Sequence, residues 1–202
     1  MAGKPKVGVL ALQGDVREHA ALLAELGADV TLVRRPEELA AVDGLVIPGG
    51  ESSVIDKLSR IFGMQEPVRA AIAAGMPVLG TCAGLILLAD TVVDAIEGQE
   101  SFGGIDAVVR RNAFGRQVES FEAELTVAEL GPEPVKAAFI RGPVVESVGP
   151  AADVLAALPD GRVVAVEQGS LLGLSFHPEI TGETRFHRRF LDRVRAVSAA
   201  AA

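Results

Sequence analysis

The residues best suited to chemistry surround Cys82, the single cysteine of the chain. The stretch "GTCAG" (80–84) places this thiol between two glycines, after one apolar run and before another. A Gly-x-Cys-x-Gly pattern at a strand end and a helix start predicts a nucleophile elbow, the sharp turn that exposes a nucleophile above a sheet. The free N–H groups at a helix start favour a thiolate, so this position suits covalent catalysis. The alternative is that Cys82 is a small buried hydrophobic residue, as many lone cysteines are.

A nucleophilic cysteine needs a base, and the chain offers three histidines. His177 stands at the end of an apolar run, where α/β sheets present functional groups. The proline that follows favours an extended backbone, so Glu179 is expected on the same side as His177, where it can orient the imidazole. The pattern predicts a Cys82–His177–Glu179 triad, and its alternative is a simple strand-end turn. His19 and His187 fall within helical patterns and are expected to be surface or half-buried residues.

Acyl transfer also needs donors for a developing oxyanion. The stretch "PGGESS" (48–53) supplies a glycine pair at another predicted strand end, just before a predicted helix. The backbone N–H groups of Gly50 and Ala83 are therefore the expected oxyanion donors. The competing interpretation is a phosphate-binding loop, but the stretch lacks the required lysine, and Glu51 would repel phosphate.

The elements that must position these residues alternate between strands and helices in the first half of the chain. Short apolar runs predict buried parallel strands, and the segments between them predict helices. The predicted strands cover 6–13, 29–34, 44–50 and 77–81, and the predicted helices cover 15–27, 36–42, 52–61 and 66–75.

From about residue 102 the sequence changes to strand-like pieces separated by Gly, Pro or Asp. An amphipathic helix over 182–198 closes the chain, and 197–202 is expected to be a frayed tail. These patterns predict one α/β domain over 1–202, with a mostly parallel central sheet flanked by helices. An antiparallel portion is expected in the second half.

Composition excludes several classes of protein. A formal charge of −8 over 202 residues argues against a nucleic-acid partner, because phosphate binding needs clustered Lys and Arg. No apolar run approaches the length that spans a bilayer, so no membrane association is expected. A single cysteine excludes an internal disulfide and a Cys-rich zinc site, and it agrees with a cytoplasmic location.

Segments spread over nearly the whole chain resemble the glutaminase subunit of pyridoxal 5′-phosphate synthase, a family of class I (triad-type) glutamine amidotransferases. "GTCAG" and "HPE" are shared by the wider class, and the other segments make the narrower assignment. The segments are "ALQGDVREH" (11–19), "PGGESS" (48–53), "GTCAG" (80–84), "RNAFGRQVESFE" (111–122), "FIRGP" (139–143) and "FHPE" (176–179).

The resemblance implies a flavodoxin-like fold and hydrolysis of L-glutamine to glutamate through a cysteine thioester, with no cofactor and no metal ion. It implies that ammonia passes to a separate synthase subunit, which also activates the glutaminase, for vitamin B6 biosynthesis. The triad is carried over onto Cys82, His177 and Glu179. Glutamine binding is carried over onto Gly50, Glu51, Ser52, Arg111, Ile140 and Arg141.

Three alternatives stay open. The chain could be a glutaminase that serves a different synthase, or a thiol hydrolase on a similar sheet. It could also be a catalytically silent binding subunit, although the intact Cys, His and Glu argue against that.

Overall fold

The structure is a computed structural model that describes residues 3–113 and 120–200. Within these residues the strands are β1 (Lys6–Leu10), β2 (Asp29–Val33), β3 (Gly44–Ile47), β4 (Val78–Thr81), β5 (Ala89–Val93), β6 (Ile105–Arg110), β7 (Ser120–Leu125), β8 (Val135–Ile140), β9 (Val144–Val148), β10 (Asp153–Ala157), β11 (Val163–Gln168) and β12 (Leu171–Leu174). The α-helices are α1 (Val16–Glu25), α2 (Pro36–Leu39), α3 (Ser52–Ile61), α4 (Gln65–Ala73), α5 (Ala83–Leu88), α6 (Pro178–Thr181) and α7 (Arg185–Ala200). A short 3₁₀ turn covers Ala128–Leu130.

The main sheet has the order β2-β1-β3-β4-β12-β11-β9-β6-β5, and β10 pairs with β11 at its side. Strands β2, β1, β3, β4 and β12 run parallel to one another. Strand β11 is antiparallel to β12, β10 and β9, and β9 is antiparallel to β6. Strands β7 and β8 form a separate antiparallel pair. This topology confirms the predicted α/β sheet, with its parallel first part and its antiparallel portion in the second half.

Both faces of the parallel part are covered. Strands β3, β4 and β12 are buried at every position, which explains their continuous apolar sequences. On one face the core includes Leu23 of α1 and Phe190 of α7. On the other face it includes Ile55 of α3, Val68 of α4 and Leu85 of α5. The helices therefore hold the central strands from both sides.

The parallel register brings the carboxyl ends of the central strands to one edge. Ile47 pairs with Gly80 across β3 and β4, and Leu174 pairs with Thr81 across β12 and β4. Because these strands end together, the loops that follow β1, β3, β4 and β12 lie next to one another. Those loops carry Gly50, Cys82 and His177, whereas Arg111 follows β6 and Ile140 ends β8.

Two glycines allow the turn between β4 and α5. A Cβ atom at Gly80 would lie 2.6 Å from the backbone of Gly84, and a Cβ atom at Gly84 would overlap the carbonyl oxygen of Ile47. The helix can therefore approach β3 and β4 only because both positions lack a side chain.

Several elements differ from the sequence prediction. Strand β5 follows α5 directly and was not predicted, and neither was the single turn of α6. The closing helix continues to Ala200, so residues 197–200 are helical and the predicted frayed tail is wrong for them. Residues 201–202 lie outside the described residues. In the described part of the chain, no helix is both long enough and apolar enough to cross a membrane.

The contact at Gly84 generates a stability prediction. We expect Gly84→Ala to lower the free energy of unfolding by about 3 kcal/mol, because a backbone carbonyl cannot rotate away from the added methyl group. Gly3→Ala is the matched control, since a Cβ atom there meets nothing within 4 Å. Urea unfolding followed by circular dichroism measures both changes. Equal midpoints for the wild type and Gly84→Ala would contradict the close approach.

Candidate active site

Cys82 occupies a tight elbow between β4 and α5. Its φ of 49° lies in the left-handed region, which is uncommon for a residue with a side chain. Its backbone N–H donates to the carbonyl oxygen of Leu174 at 2.7 Å, which ties the elbow to the end of β12. The side chain is nearly buried and lines a cavity of about 370 Å³. The geometry agrees with the predicted nucleophile elbow.

His177 and Glu179 are in contact, as the sequence predicts, but the backbone between them differs from the prediction. His177 has a non-helical backbone (φ −113°, ψ 84°), and Glu179 lies in the first turn of α6 and not on an extended chain. His177 Nδ1 lies 2.7 Å from Glu179 Oε1. Since a carboxylate only accepts hydrogen bonds, Nδ1 carries the proton, and Nε2 is left to face a reacting group. The expected contact between His177 and Glu179 is therefore present. The extended chain from which we predicted it is not, because α6 begins directly after His177.

A second carboxylate, which the sequence analysis missed, also contacts His177. Asp15 Oδ2 lies 3.3 Å from His177 Nδ1, and Asp15 precedes the first residue of α1. The possible ligand atoms of Asp15, His177 and Glu179 all lie within 4.8 Å of one another. A metal ion would need the Nδ1 lone pair, whereas this nitrogen carries a proton between two carboxylates. The sequence did contain a signal for this contact. Asp15 follows the first predicted strand, so it could have been expected at the same edge of the sheet as His177.

The surroundings of His177 favour its charged form. Burial lowers its pKa, but hydrogen bonds with Asp15, Cys82 and Glu179 outweigh burial and raise the pKa to about 12. The electrostatic interaction with Cys82 also raises the pKa of His177. At neutral pH the ring is therefore an imidazolium beside the sulfur, with a proton available for a leaving group.

The other predicted site residues surround the same cavity. Ile140 carries a carbonyl oxygen 3.9 Å from Cys82 Sγ. Ala83 is buried at the start of α5, directly after the cysteine. The cavity is lined by Asp15, Gly50, Glu51, Ser52, Cys82, Ile86, Arg111, Asn112, Ile140, Arg141, His177 and Ile180. In the segment 111–122, which we expected to contribute to the site, residues 114–119 lie outside the described residues.

Arg111 and Glu51 are bonded to each other in the cavity. Arg111 Nη2 donates to Glu51 Oε1 at 2.6 Å, and Arg111 Nη1 donates to Gln99 Oε1 at 2.9 Å. Gln99 in turn donates to Ser52 Oγ at 3.0 Å. Arg111 is only 8% exposed, whereas the Glu51 side chain is 53% exposed. A cation and an anion therefore stand side by side at the cavity wall.

The glycine loop after β3 is held by the loop after β1. The backbone N–H of Asp15 donates to the carbonyl oxygen of Gly49 at 3.1 Å. The backbone N–H of Glu51 donates to Gln13 Oε1 at 2.8 Å. Gly50 has a φ of 151°, a conformation that side chains rarely adopt. The Gly49–Gly50 peptide is therefore fixed by bonds on both of its sides.

A model of the SNO glutamine amidotransferase family matches residues 9–196. The chain belongs to this family. A relative from Leifsonia xyli subsp. xyli, named pyridoxal 5′-phosphate synthase subunit PdxT, is 66% identical over 96% of this chain and 98% of its own length. A relative of the same name from Streptomyces coelicolor is 60% identical over 99% of this chain and 98% of its own.

Solved structures agree with the assignment to the SNO glutamine amidotransferase family. A crystal structure of a glutamine amidotransferase is 48% identical, with a TM-score of 0.87 over 93% of this chain and 98% of that one. A putative GMP synthase subunit from Thermoplasma acidophilum has a TM-score of 0.73 over 98% of both chains, at 19% identity. At that identity the likeness shows only a common fold.

The remaining two histidines of this amidotransferase are buried, so the expectation of surface or half-buried residues was wrong. His19 of α1 and His187 of α7 are 0% exposed, and His19 Nδ1 lies 2.9 Å from His187 Nε2. Burial lowers the pKa of His19 well below its usual value, and the neighbouring His187 and His177 add to this effect. Burial likewise lowers the pKa of His187 to about 4, against the opposing charge of Glu183. Both rings are therefore neutral at pH 7.

The neutral His187 predicts a pH dependence of stability. Between its unfolded pKa of 6.5 and its folded pKa of about 4, the unfolded chain binds a proton that the folded chain does not. The stability that neutral His187 contributes is therefore complete above pH 6.5 and is lost as the pH falls toward 4. From pH 7 to pH 5, we expect the wild type to lose about 2 kcal/mol more unfolding free energy than His187→Gln.

Urea unfolding of both chains at each pH measures that difference. Titrating groups that do not contact residue 187 affect the two chains alike and cancel in the comparison. His19 does contact His187, but burial is the largest cause of its lowered pKa, and we expect it to stay buried in both chains. Parallel stability curves for the two chains would contradict the buried, neutral state of His187.

Proposed function

We propose that this chain hydrolyses L-glutamine to L-glutamate and ammonia and delivers the ammonia to a partner synthase subunit that makes pyridoxal 5′-phosphate (vitamin B6). Membership of the SNO glutamine amidotransferase family and the nearly full-length similarity to PdxT relatives support this function. The observation that carries the mechanism is the single cavity shared by Cys82 and His177, with Glu179 bonded behind the ring.

In the proposed first half-reaction, the Cys82 sulfur attacks the side-chain amide carbon of glutamine. The backbone N–H groups of Gly50 and Ala83 hold the oxyanion of the tetrahedral intermediate. His177 then gives its proton to the amide nitrogen, the carbon–nitrogen bond breaks, and ammonia leaves behind a thioester. The imidazolium form of His177 suits this step, because the proton is already in place.

In the second half-reaction, neutral His177 removes a proton from water as the water attacks the thioester. The same N–H groups hold the second oxyanion, and the carbon–sulfur bond breaks to release glutamate. The sulfur leaves with the electron pair beside the imidazolium, which restores the starting state. Glu179 and Asp15 keep Nδ1 protonated in both steps, so Nε2 remains the nitrogen that exchanges the proton.

Glutamine presents an α-carboxylate and an α-ammonium to the cavity wall. We assign the carboxylate to Arg111 and the ammonium to Glu51. Without glutamine, these two side chains are hydrogen-bonded to each other. Ser52 and the backbone of Gly50, Ile140 and Arg141 complete the proposed glutamine site. Each charge that leaves its protein partner gains a ligand partner, so binding does not leave a buried charge unpaired.

The partner subunit is also the proposed activator. Reorienting the Gly49–Gly50 peptide requires breaking the bond between Asp15 N–H and Gly49 O. Glycine makes that rotation sterically inexpensive, so docking of the synthase at this loop is expected to turn the Gly50 N–H toward the oxyanion.

We further infer that the chain works as one domain in the cytoplasm, with no nucleic-acid or membrane partner and no cofactor.

Removing the sulfur tests the proposed function. We expect Cys82→Ala to lower the rate of ammonia release by at least about 10³-fold, because loss of a nucleophile removes the covalent route. A coupled glutamate dehydrogenase assay with the synthase subunit present measures the rate, and sedimentation measures docking, which should persist. Full ammonia release by Cys82→Ala would refute the nucleophile, and equal wild-type rates with and without the synthase would refute the activation.

Removing the guanidinium tests the glutamine site. We expect Arg111→Ala to raise KM for glutamine about 10- to 100-fold, the size of one lost charged hydrogen bond. Arg110→Ala is the matched control, because this neighbouring arginine pairs with Asp94 and Glu146 and does not line the cavity. Steady-state kinetics of the complex gives both constants. Equal KM values for the two variants would contradict a role for Arg111 in binding.

A further inference from the structure

Behind the triad lies a buried histidine pair to which the proposed reaction assigns no role. His19 Nε2 lies 3.5 Å from Glu179 Oε2 and 3.0 Å from Thr81 Oγ1. The His19 and Glu179 side chains are both 0% exposed. Thr81 directly precedes Cys82, so His19 contacts both the acid of the triad and the residue before its nucleophile.

Only one of the two carboxylate oxygens of Glu179 is used by His177. Its Oε1 accepts from His177, whereas among the described residues its buried Oε2 has no hydrogen-bond partner. A carboxylate oxygen buried without a donor is costly, because it has lost its water. His19 Nε2 lies 3.5 Å from this oxygen, just beyond ordinary hydrogen-bond length.

The proton positions in the pair follow from the charges around it. Both rings are neutral, so each carries a single proton. If His19 carried its proton on Nδ1, the Nε2 lone pair would face the negative Oε2. If the proton is on Nε2, that N–H points at Thr81 and Glu179, and Nδ1 accepts from His187 Nε2–H at 2.9 Å. The second arrangement is electrostatically favoured.

We propose that His19, oriented by His187, is a positioning residue whose Nε2–H holds Glu179 against His177. The inference rests on the proposed glutaminase function, because it extends the triad by two residues. His19 does not line the cavity, so it acts on the reaction only through the residues it contacts, Glu179 and Thr81. Helices α1 and α7 thereby fix the geometry of a site formed at the ends of other elements.

Two polar variants separate positioning from packing. In His19→Gln the amide reaches the place of Nε2 and keeps a donor toward Glu179. In His19→Asn the amide reaches only the place of Nδ1 and keeps the contact with His187 alone. With the synthase present, we expect His19→Asn to lower kcat roughly tenfold or more, because the Nε2–H that faces Thr81 and Glu179 is lost. KM should stay within about twofold, and His19→Gln should restore most of kcat.

A measurement on the wild-type chain tests the same contact without any variant. Nitrogen-15 NMR of the histidine rings reports which nitrogen carries the proton. We expect Nε2–H on both His19 and His187. This readout decides the inference even where a variant does not fold.

The outcomes are distinct. Equal kcat for His19→Asn and the wild type, equal losses in His19→Asn and His19→Gln, or an Nδ1–H tautomer at His19 would each overturn the inference. Failure of the proposed function looks different, because the wild-type complex itself would then release no ammonia from glutamine.

Discussion

The charge of the site depends on the hydrogen bonding of the His177 ring, whose Nδ1 lies 3.3 Å from Asp15 Oδ2 and 2.7 Å from Glu179 Oε1. A buried imidazolium is unfavourable by itself, because burial strips it of water. Here the fully buried Glu179 carboxylate bonds to it, Asp15 approaches it from the loop before α1, and Cys82 also interacts with it. The neighbouring charges therefore outweigh desolvation, and the ring holds a proton at neutral pH. Each proposed step of the reaction depends on that proton.

The sheet supplies the geometry for this charge cluster. Cys82, His177 and the glycine loop follow three adjacent parallel strands, so their separations are fixed by strand spacing and register. The two glycines of the elbow let α5 pack directly on that edge. Catalytic groups that are far apart in sequence are thereby held on rigid elements, which is what a preorganised site requires.

Much of this site could be predicted from the sequence, because the signals are local. A cysteine between two glycines at a strand end predicts the elbow, and "HPE" after an apolar run predicts the contact between His177 and Glu179. The bond between Arg111 and Glu51 could not be foreseen, because 60 residues separate the two side chains. The turn of α6 was also missed, since four residues are too few to show a helical period.

The buried histidines show the limit of local patterns most clearly. His19 and His187 are 168 residues apart, and each stands next to charged residues in its helix, Glu18 before His19 and Arg188 after His187. Only the packing of α1 and α7 on one face of the sheet brings the rings together. Asp15 was missed for the same reason, because its contact with His177 joins the loops after β1 and β12.

The central claim is that the Cys82 sulfur attacks the side chain of a bound glutamine. A glutamine-analogue alkylator, added to the complex with the synthase and followed by mass spectrometry, tests it most directly. The account predicts a single adduct on Cys82 that excess glutamine prevents and that is lost in His177→Ala. An unmodified Cys82, or an adduct that neither glutamine nor His177→Ala affects, would contradict it.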